Sequence, residues 1–173
     1  MIEIDLDEVD IPLRWPALFR REAPTDVEIG CGKGKFLNEI ATERPETNFL
    51  AVERAAKYYR LCCERAARRG LSNVRLVRTT AEDLLYRILA ESTVATFYVL
   101  FPDPWPKKRH HKRRLIKPEI VDAVTRTLIP GGRLLVKSDH DGYAEVIADV
   151  LAGASGLRRI DSDEAFASLP VTG

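Results

Sequence analysis

No apolar run in this chain of 173 residues approaches the roughly 20 needed to cross a bilayer, so no membrane-spanning helix is expected. Cysteine is scarce. Cys31, Cys62 and Cys63 show neither a CxxC pair nor metal-ligand spacing, and the adjacent Cys62 and Cys63 do not readily join each other. An odd count with no signal-peptide pattern ahead of it fits a reducing compartment, so a soluble protein of the cytoplasm is expected. Histidine offers no metal site either. His110 and His111 adjoin one another without the separation that ligands require, and no metal is expected. Internal repeats, low-complexity tracts and linkers are absent, and the length suits a single domain over residues 1–173.

The net charge of +1 hides an asymmetry. Residues 101–117 hold seven Lys or Arg against one Asp, a local +6 that leaves the rest of the chain at −5. The overall balance therefore says little about partners, and the local patch says more.

The apolar stretches that are present alternate between two periods. Residues 1–25 form an acidic lead-in, with Trp15 and Phe19 spaced to share one face of a short helix and expected to pack as a cap on the core. Strands are expected at 26–29, 48–52, 74–77, 94–100, 133–136 and 157–160. Helices are expected at about 35–42, 55–69, 82–89, 118–128 and 143–151, the second ending at Gly70 and the fourth starting on Pro118 and closing at Pro130-Gly131-Gly132. Strands apolar on both faces and alternating with helices imply an α/β fold, a doubly wound, mostly parallel sheet with helices on both faces. In such sheets a ligand sits beyond the carboxyl ends of the strands. Glu28, Glu53, Asp103 and Asp139 all fall at or near such ends.

Two stretches carry the chemistry. Glu28-Ile29-Gly30-Cys31-Gly32-Lys33-Gly34 is a strand-to-helix turn with the spacing G-x-G-x-G, not the G-x-G-x-x-G that places a pyrophosphate on a helix N-terminus. Glu53, at the tip of the second strand, suits the two hydroxyls of a ribose without distinguishing one adenosine cofactor from another. The second stretch, FPDPWPKKRHHKRR over residues 101–114, leaves the fourth strand. Its prolines at 102, 104 and 106 forbid helix or central strand. One carboxylate, Asp103, and one indole, Trp105, precede a track of cations. A charge run is usually a solvated face, but one beside an acid at the open end of a sheet suits a nucleic-acid base and its phosphates. Trp105 reads as a stacking face or, at least as readily, as a packing anchor.

The glycine turn with its preceding acid resembles the first motif of class I S-adenosylmethionine-dependent methyltransferases, a Rossmann-like fold. Together with PDPWPKKRHHKRR, it resembles the tRNA (guanine-N7-)-methyltransferase family over residues 15–143. The resemblance implies S-adenosyl-L-methionine as cofactor, tRNA as partner and methylation of N7 of a guanine in the variable loop, a step of tRNA processing. It implies Asp103 as catalytic acid. It places Glu28, Gly30, Gly32, Gly34, Glu53, Thr80, Ala81 and Asp103 around the cofactor, with Glu28 near the methionine amino group. Thr80 stands where such enzymes usually have Asp or Asn against adenine. Lys107, Arg109, Arg113, Asp139 and Thr172 would contact the substrate, Asp139 lying in Ser138-Asp139 where the family has Thr-Asp.

The match departs from the family at the C-terminus. A family T-x-x-E motif contacts the guanine, and here Thr172 would be its threonine with no glutamate following. The last strand of a seven-stranded sheet is likewise not expected. The expectation is a shortened form of a longer protein. Three other functions stand beside the first: a class I methyltransferase for another RNA, a non-catalytic RNA-binding module, and a nucleotide-dependent oxidoreductase, which the glycine spacing disfavours. Oligomeric state, monomer or homodimer, is left open.

Overall fold

The computed structural model describes residues 2–167 and 169. Through them the chain runs α1 (Trp15–Phe19), β1 (Thr25–Ile29), α2 (Lys35–Glu43), β2 (Asn48–Val52), α3 (Ala56–Arg68), β3 (Val74–Val77), α4 (Ala81–Asp83), β4 (Val94–Leu100), α5 (Pro118–Thr127), β5 (Leu128–Lys137), α6 (Asp141–Ala152) and α7 (Ser162–Ala167). The five strands form one parallel sheet in the order β3-β2-β1-β4-β5. Because β1 pairs with both β2 and β4, the chain reverses its direction of winding there. That is where ligands enter doubly wound sheets, outside the carboxyl ends of β1 and β4.

Side chains along each strand point alternately to the two faces, and both faces are apolar. Phe49, Ala51, Leu76 and Tyr98 pack with Phe36, Leu37 and Ile40 of α2 and Tyr59 and Cys62 of α3. Leu50, Val52, Val77, Phe97 and Val99 pack on the other side with Ile120 and Val124 of α5 and Tyr143 and Ile147 of α6. Each such side chain, fully removed from water, contributes about 1.5–3 kcal/mol, which makes a two-sided core the main force holding the strand ends in register. Trp15 caps this core as expected. Its indole nitrogen donates to the Thr93 carbonyl at 2.7 Å, and its ring lies 6.3 Å from that of Phe19.

Four expectations are corrected. The acidic lead-in joins the sheet: Ile4 donates to the Leu76 carbonyl and Leu76 to that of Ile2, both at 2.8 Å, so it covers the edge of β3. The helix expected over 82–89 is one turn of α-helix followed by a π-helical turn, Leu84–Ile88, which buries Leu84, Leu85 and Ile88 together. Pro130-Gly131-Gly132 does not close α5; β5 already begins at Leu128 and absorbs the glycines in a register shift opposite Val94 and Thr96. Gly131 sits at φ 78°, and any side chain at Gly132 would press on the Ile129 and Ala95 carbonyls, so only glycines pass this bulge. Finally, residues 157–160 form no strand, and α7 follows them instead.

Candidate active site

Backbone geometry shapes the first half of the site. Gly30, Gly32 and Gly34 all have φ between 53° and 78°, the left-handed region that side chains resist. At Gly34 the demand is doubled, since a Cβ there would collide with the Cys62 thiol beneath it. Gly30 and Cys31 extend the β1–β2 ladder by donating to the Val52 carbonyl at 2.8 and 3.2 Å. The turn is thus fixed by sheet hydrogen bonds from one side and by α3 from the other.

Two carboxylates face this turn and meet different fates. Glu53 is fully engaged with backbone: Gly32 N–H donates to its Oε2 at 3.0 Å and Ala55 N–H to its Oε1 at 2.8 Å. Each oxygen still has a free lone pair. Glu28, only 5% exposed at the end of β1, is not satisfied, for its Oε2 is buried with no hydrogen-bond partner. Burial, reinforced by the neighbouring Glu53 charge, pushes its carboxyl from the usual 4.5 up to about 8. An orphaned buried acid costs free energy unless a donor reaches it, and a cation is the partner it suits best.

On the neighbouring turn, Thr80 is the N-cap of α4, its hydroxyl accepting from Asp83 N–H at 3.1 Å. The hydroxyl hydrogen remains available as a donor. Ala81 is buried as the first residue of that helix.

The second half of the site is the loop after β4, which the strand order sets between the glycine turn and the turn carrying Asp139. Its backbone is left-handed at two non-glycine residues, Phe101 (φ 55°) and Trp105 (φ 44°), bracketing the exposed Asp103. Strain of this kind costs on the order of 1–3 kcal/mol per residue and persists only where surroundings hold it. Phe101 N–H makes the last ladder bond, to the Lys137 carbonyl at 2.7 Å, and Lys137 lies over its ring. From Lys108 to Arg113 the track is a 3-10 helix with no buried residue. Lys107, Arg109 and Arg113 are exposed along it, as is Asp139 beyond β5. The imidazole of His140 next to Asp139 caps α6 by accepting from Tyr143 N–H at 3.1 Å.

Some cations of the track also make contacts within the loop. The Arg113 guanidinium lies 4.9 Å from the Trp105 ring, whose edge contact with His110 is at 5.7 Å, so one face of the indole is already covered. Arg114 turns inward onto Pro104 and Tyr143, contacts that residue spacing does not reveal. The only trace of this in the sequence is that Tyr143 and Ile147 share one face of α6. Thr172 lies outside the described residues, and two open concavities of about 540 and 750 Å³ lie away from both halves of the site. Among the described residues no cluster of three or more His, Cys, Asp or Glu is arranged to hold a metal, and no helix is long and apolar enough to cross a membrane.

Comparison with known proteins places the chain in a family and a fold. A family described as "Putative methyltransferase" matches residues 22–172. A tRNA (guanine-N(7)-)-methyltransferase of Mycobacterium avium (strain 104) is 44% identical over 161 residues, covering 92% of this chain and 61% of the relative. One from Shewanella amazonensis is 36% identical, covering 95% and 69%. The chain thus spans about six tenths of the length of the first of these relatives. Among solved structures, the 16S rRNA methyltransferase KamB shares the fold with a TM-score of 0.57 at 20% identity, over 80% of this chain and 71% of that one.

Proposed function

The chain belongs to this methyltransferase family, and on that premise we propose that it transfers the methyl group of S-adenosyl-L-methionine to N7 of a guanine in the variable loop of tRNA, in the cytoplasm. The observation that carries the reading is the orphaned Glu28 carboxylate at the glycine turn. A dinucleotide would bring a pyrophosphate to this turn and meet two acids. The methionine part of S-adenosyl-L-methionine brings an ammonium group, and Glu28 is a buried carboxyl there whose Oε2 has no donor.

The residues fit the cofactor in three respects. Glu28 would pair with the ammonium and become ionised in doing so. Glu53, already oriented by Gly32 and Ala55, would accept both ribose hydroxyls on its remaining lone pairs. The glycine backbone, bare of Cβ atoms at Gly30 and Gly32, lets the ligand lie directly against the turn. Beyond these, the Thr80 hydroxyl and the backbone of Ala81 would line the adenine end. When bound, the cofactor supplies an electrophilic methyl group on a sulfonium.

Guanine N7 carries a free lone pair, so no residue has to remove a proton from the nucleophile. The chain's task is alignment, an effect worth several kcal/mol when the reacting atoms are held in line. Asp103, held between two strained residues, would accept from guanine N1 and N2 and so orient the ring, while balancing the positive charge that appears on methylation. Asp139 would make a second contact to the base. Lys107, Arg109 and Arg113 would meet phosphates, giving affinity that is sensitive to salt and indifferent to sequence. N7 is engaged in folded tRNA, so the base has to leave its stack to reach the cleft.

The test is methyl transfer from labelled S-adenosyl-L-methionine to unmodified tRNA, with the variable-loop guanine changed to adenine as control. Incorporation that disappears with the control supports the proposal. Incorporation that persists there moves the reading to another site or another RNA.

A further inference from the structure

Arg114 is the last cation of the basic track, and it is not used as the others are. Its Nε donates to the Pro104 carbonyl at 2.8 Å, one residue beyond Asp103. Its guanidinium lies 4.7 Å from the ring centre of Tyr143, a residue with no exposed surface. The Tyr143 hydroxyl is in turn fixed by accepting from Ile116 N–H at 3.1 Å, two residues after Arg114. Burial raises the pKa of this phenol above its ordinary value, and the Arg114 and Asp103 charges act on it in opposite directions, so both groups lie within electrostatic reach of it. From its other end, Tyr143 donates its backbone N–H to the His140 imidazole and thereby orders the turn after Asp139.

One tyrosine thus touches both candidate substrate carboxylates' supports. We propose that Arg114, seated on Tyr143, is a positioning residue: it holds the Pro104 carbonyl and so sets where Asp103 points relative to Asp139. The chemistry requires arginine. A planar guanidinium stacks on an aromatic face while presenting N–H groups in its own plane, and a lysine ammonium offers a point charge without that fixed geometry. The contact also explains how a loop with left-handed residues at 101 and 105 keeps its shape, since two prolines remove donors that would otherwise anchor it. This inference rests on the reading of Asp103 as the group that orients guanine.

The test compares Arg114→Lys with Arg109→Ala, an exposed cation of the same track. Fluorine NMR of fluorotryptophan-labelled protein, its two signals assigned with Trp105→Phe, reports the loop without any need for turnover. In Arg114→Lys the Trp105 signal is expected to shift or broaden while that of Trp15 stays, and Arg109→Ala is expected to move neither. In methyl transfer, Arg114→Lys is expected to lower kcat about tenfold or more with KM for tRNA changed less than about twofold, the signature of lost alignment. Arg109→Ala is expected to raise KM for tRNA by only a few-fold, with kcat changed less. In an Asp103→Ala background, Arg114→Lys is expected to cost nothing further. An unmoved Trp105 signal overturns the proposal, as does a loss confined to KM that grows with salt, which would make Arg114 a phosphate contact. Full kcat in Asp103→Ala alone would instead overturn the role of Asp103, whatever Arg114→Lys does to the loop.

Discussion

The two halves of the cleft are held by different means. Around the glycine turn, the ladder bonds to Val52 and the Glu53 carboxylate tie down backbone on both sides, and the unsatisfied acid, Glu28, is sealed inside. Around Asp103, the backbone is strained, the side chains are exposed, and a few side-chain contacts from Arg113 and Arg114 carry the loop. The first half is ready-made for a small ligand that always has the same shape. On the proposed reading the second would admit a base drawn from a large RNA, and a loop held by a few contacts at its rim can adjust to it. Preformed backbone would then serve the cofactor, and adjustable side chains the nucleic acid.

The sharpest way to break this contrast is Asp103→Ala. Methyl transfer is expected to fall by about a hundredfold or more, with cofactor affinity and thermal midpoint unchanged, because the residue is exposed and outside the core. Loss of cofactor binding in the same variant would mean that the halves are not separate.

Glu28→Gln is the matching change on the other side. Removing the charge that pairs with the ammonium is expected to weaken S-adenosyl-L-methionine binding by about thirtyfold or more, measured by calorimetry. Its effect on the free protein has the opposite sign. The folded Glu28 carboxyl titrates near 8 against 4.5 for a free one. Between those values the folded state holds a proton that the unfolded chain has lost, so stability falls as pH rises through this window and the penalty is complete above it. The variant is therefore expected to melt higher than the parent at pH 9 and about equally at pH 4, by scanning calorimetry. A proposed cofactor-binding residue whose loss stabilises the free chain is what an orphaned acid implies.

Gly34→Ala tests how far backbone alone shapes the first half. The new Cβ meets both a left-handed φ of 73° and the Cys62 thiol, and a loss of about 1–3 kcal/mol in denaturant unfolding is expected. The double variant Gly34→Ala with Cys62→Ala is expected to recover part of it. Gly30→Ala, with open space around it, is expected to lose less.

The smallest effect belongs to the basic track. Arg109→Ala is expected to weaken tRNA binding by only a few-fold and to reduce the slope of log affinity against log salt by about 1, read from titrations at several salt concentrations.

These contrasts also mark what was legible in the sequence. The strands at 48–52, 74–77 and 94–100 were readable to the residue because short apolar runs rich in Val, Leu and Phe end at clear turns. The sheet's winding followed from their alternation with helices, and the cleft from that winding. The start of β5 was hidden because Pro-Gly-Gly has the composition of a turn, whereas here its neighbours hold it as a bulge. The acidic lead-in looked like surface because pairing of Ile2 and Ile4 with Leu76 depends on a strand edge more than seventy residues away. In the site, residue types and spacing pointed to Glu28, Glu53 and Asp103. They did not reveal that Glu28 lacks a partner, which depends on burial, or that Arg114 faces inward, which depends on Tyr143 arriving from α6.

The most direct measurement is the proton balance of cofactor binding. Calorimetric titration of S-adenosyl-L-methionine at pH 7, in buffers of different ionisation enthalpy, counts the protons exchanged. With Glu28 titrating near 8 when free and ionised when paired, close to one proton is expected to be released per molecule bound. Affinity is expected to rise with pH up to about 8, and both effects to vanish in Glu28→Gln. Binding with no proton release, and with the same affinity in that variant, would contradict the account.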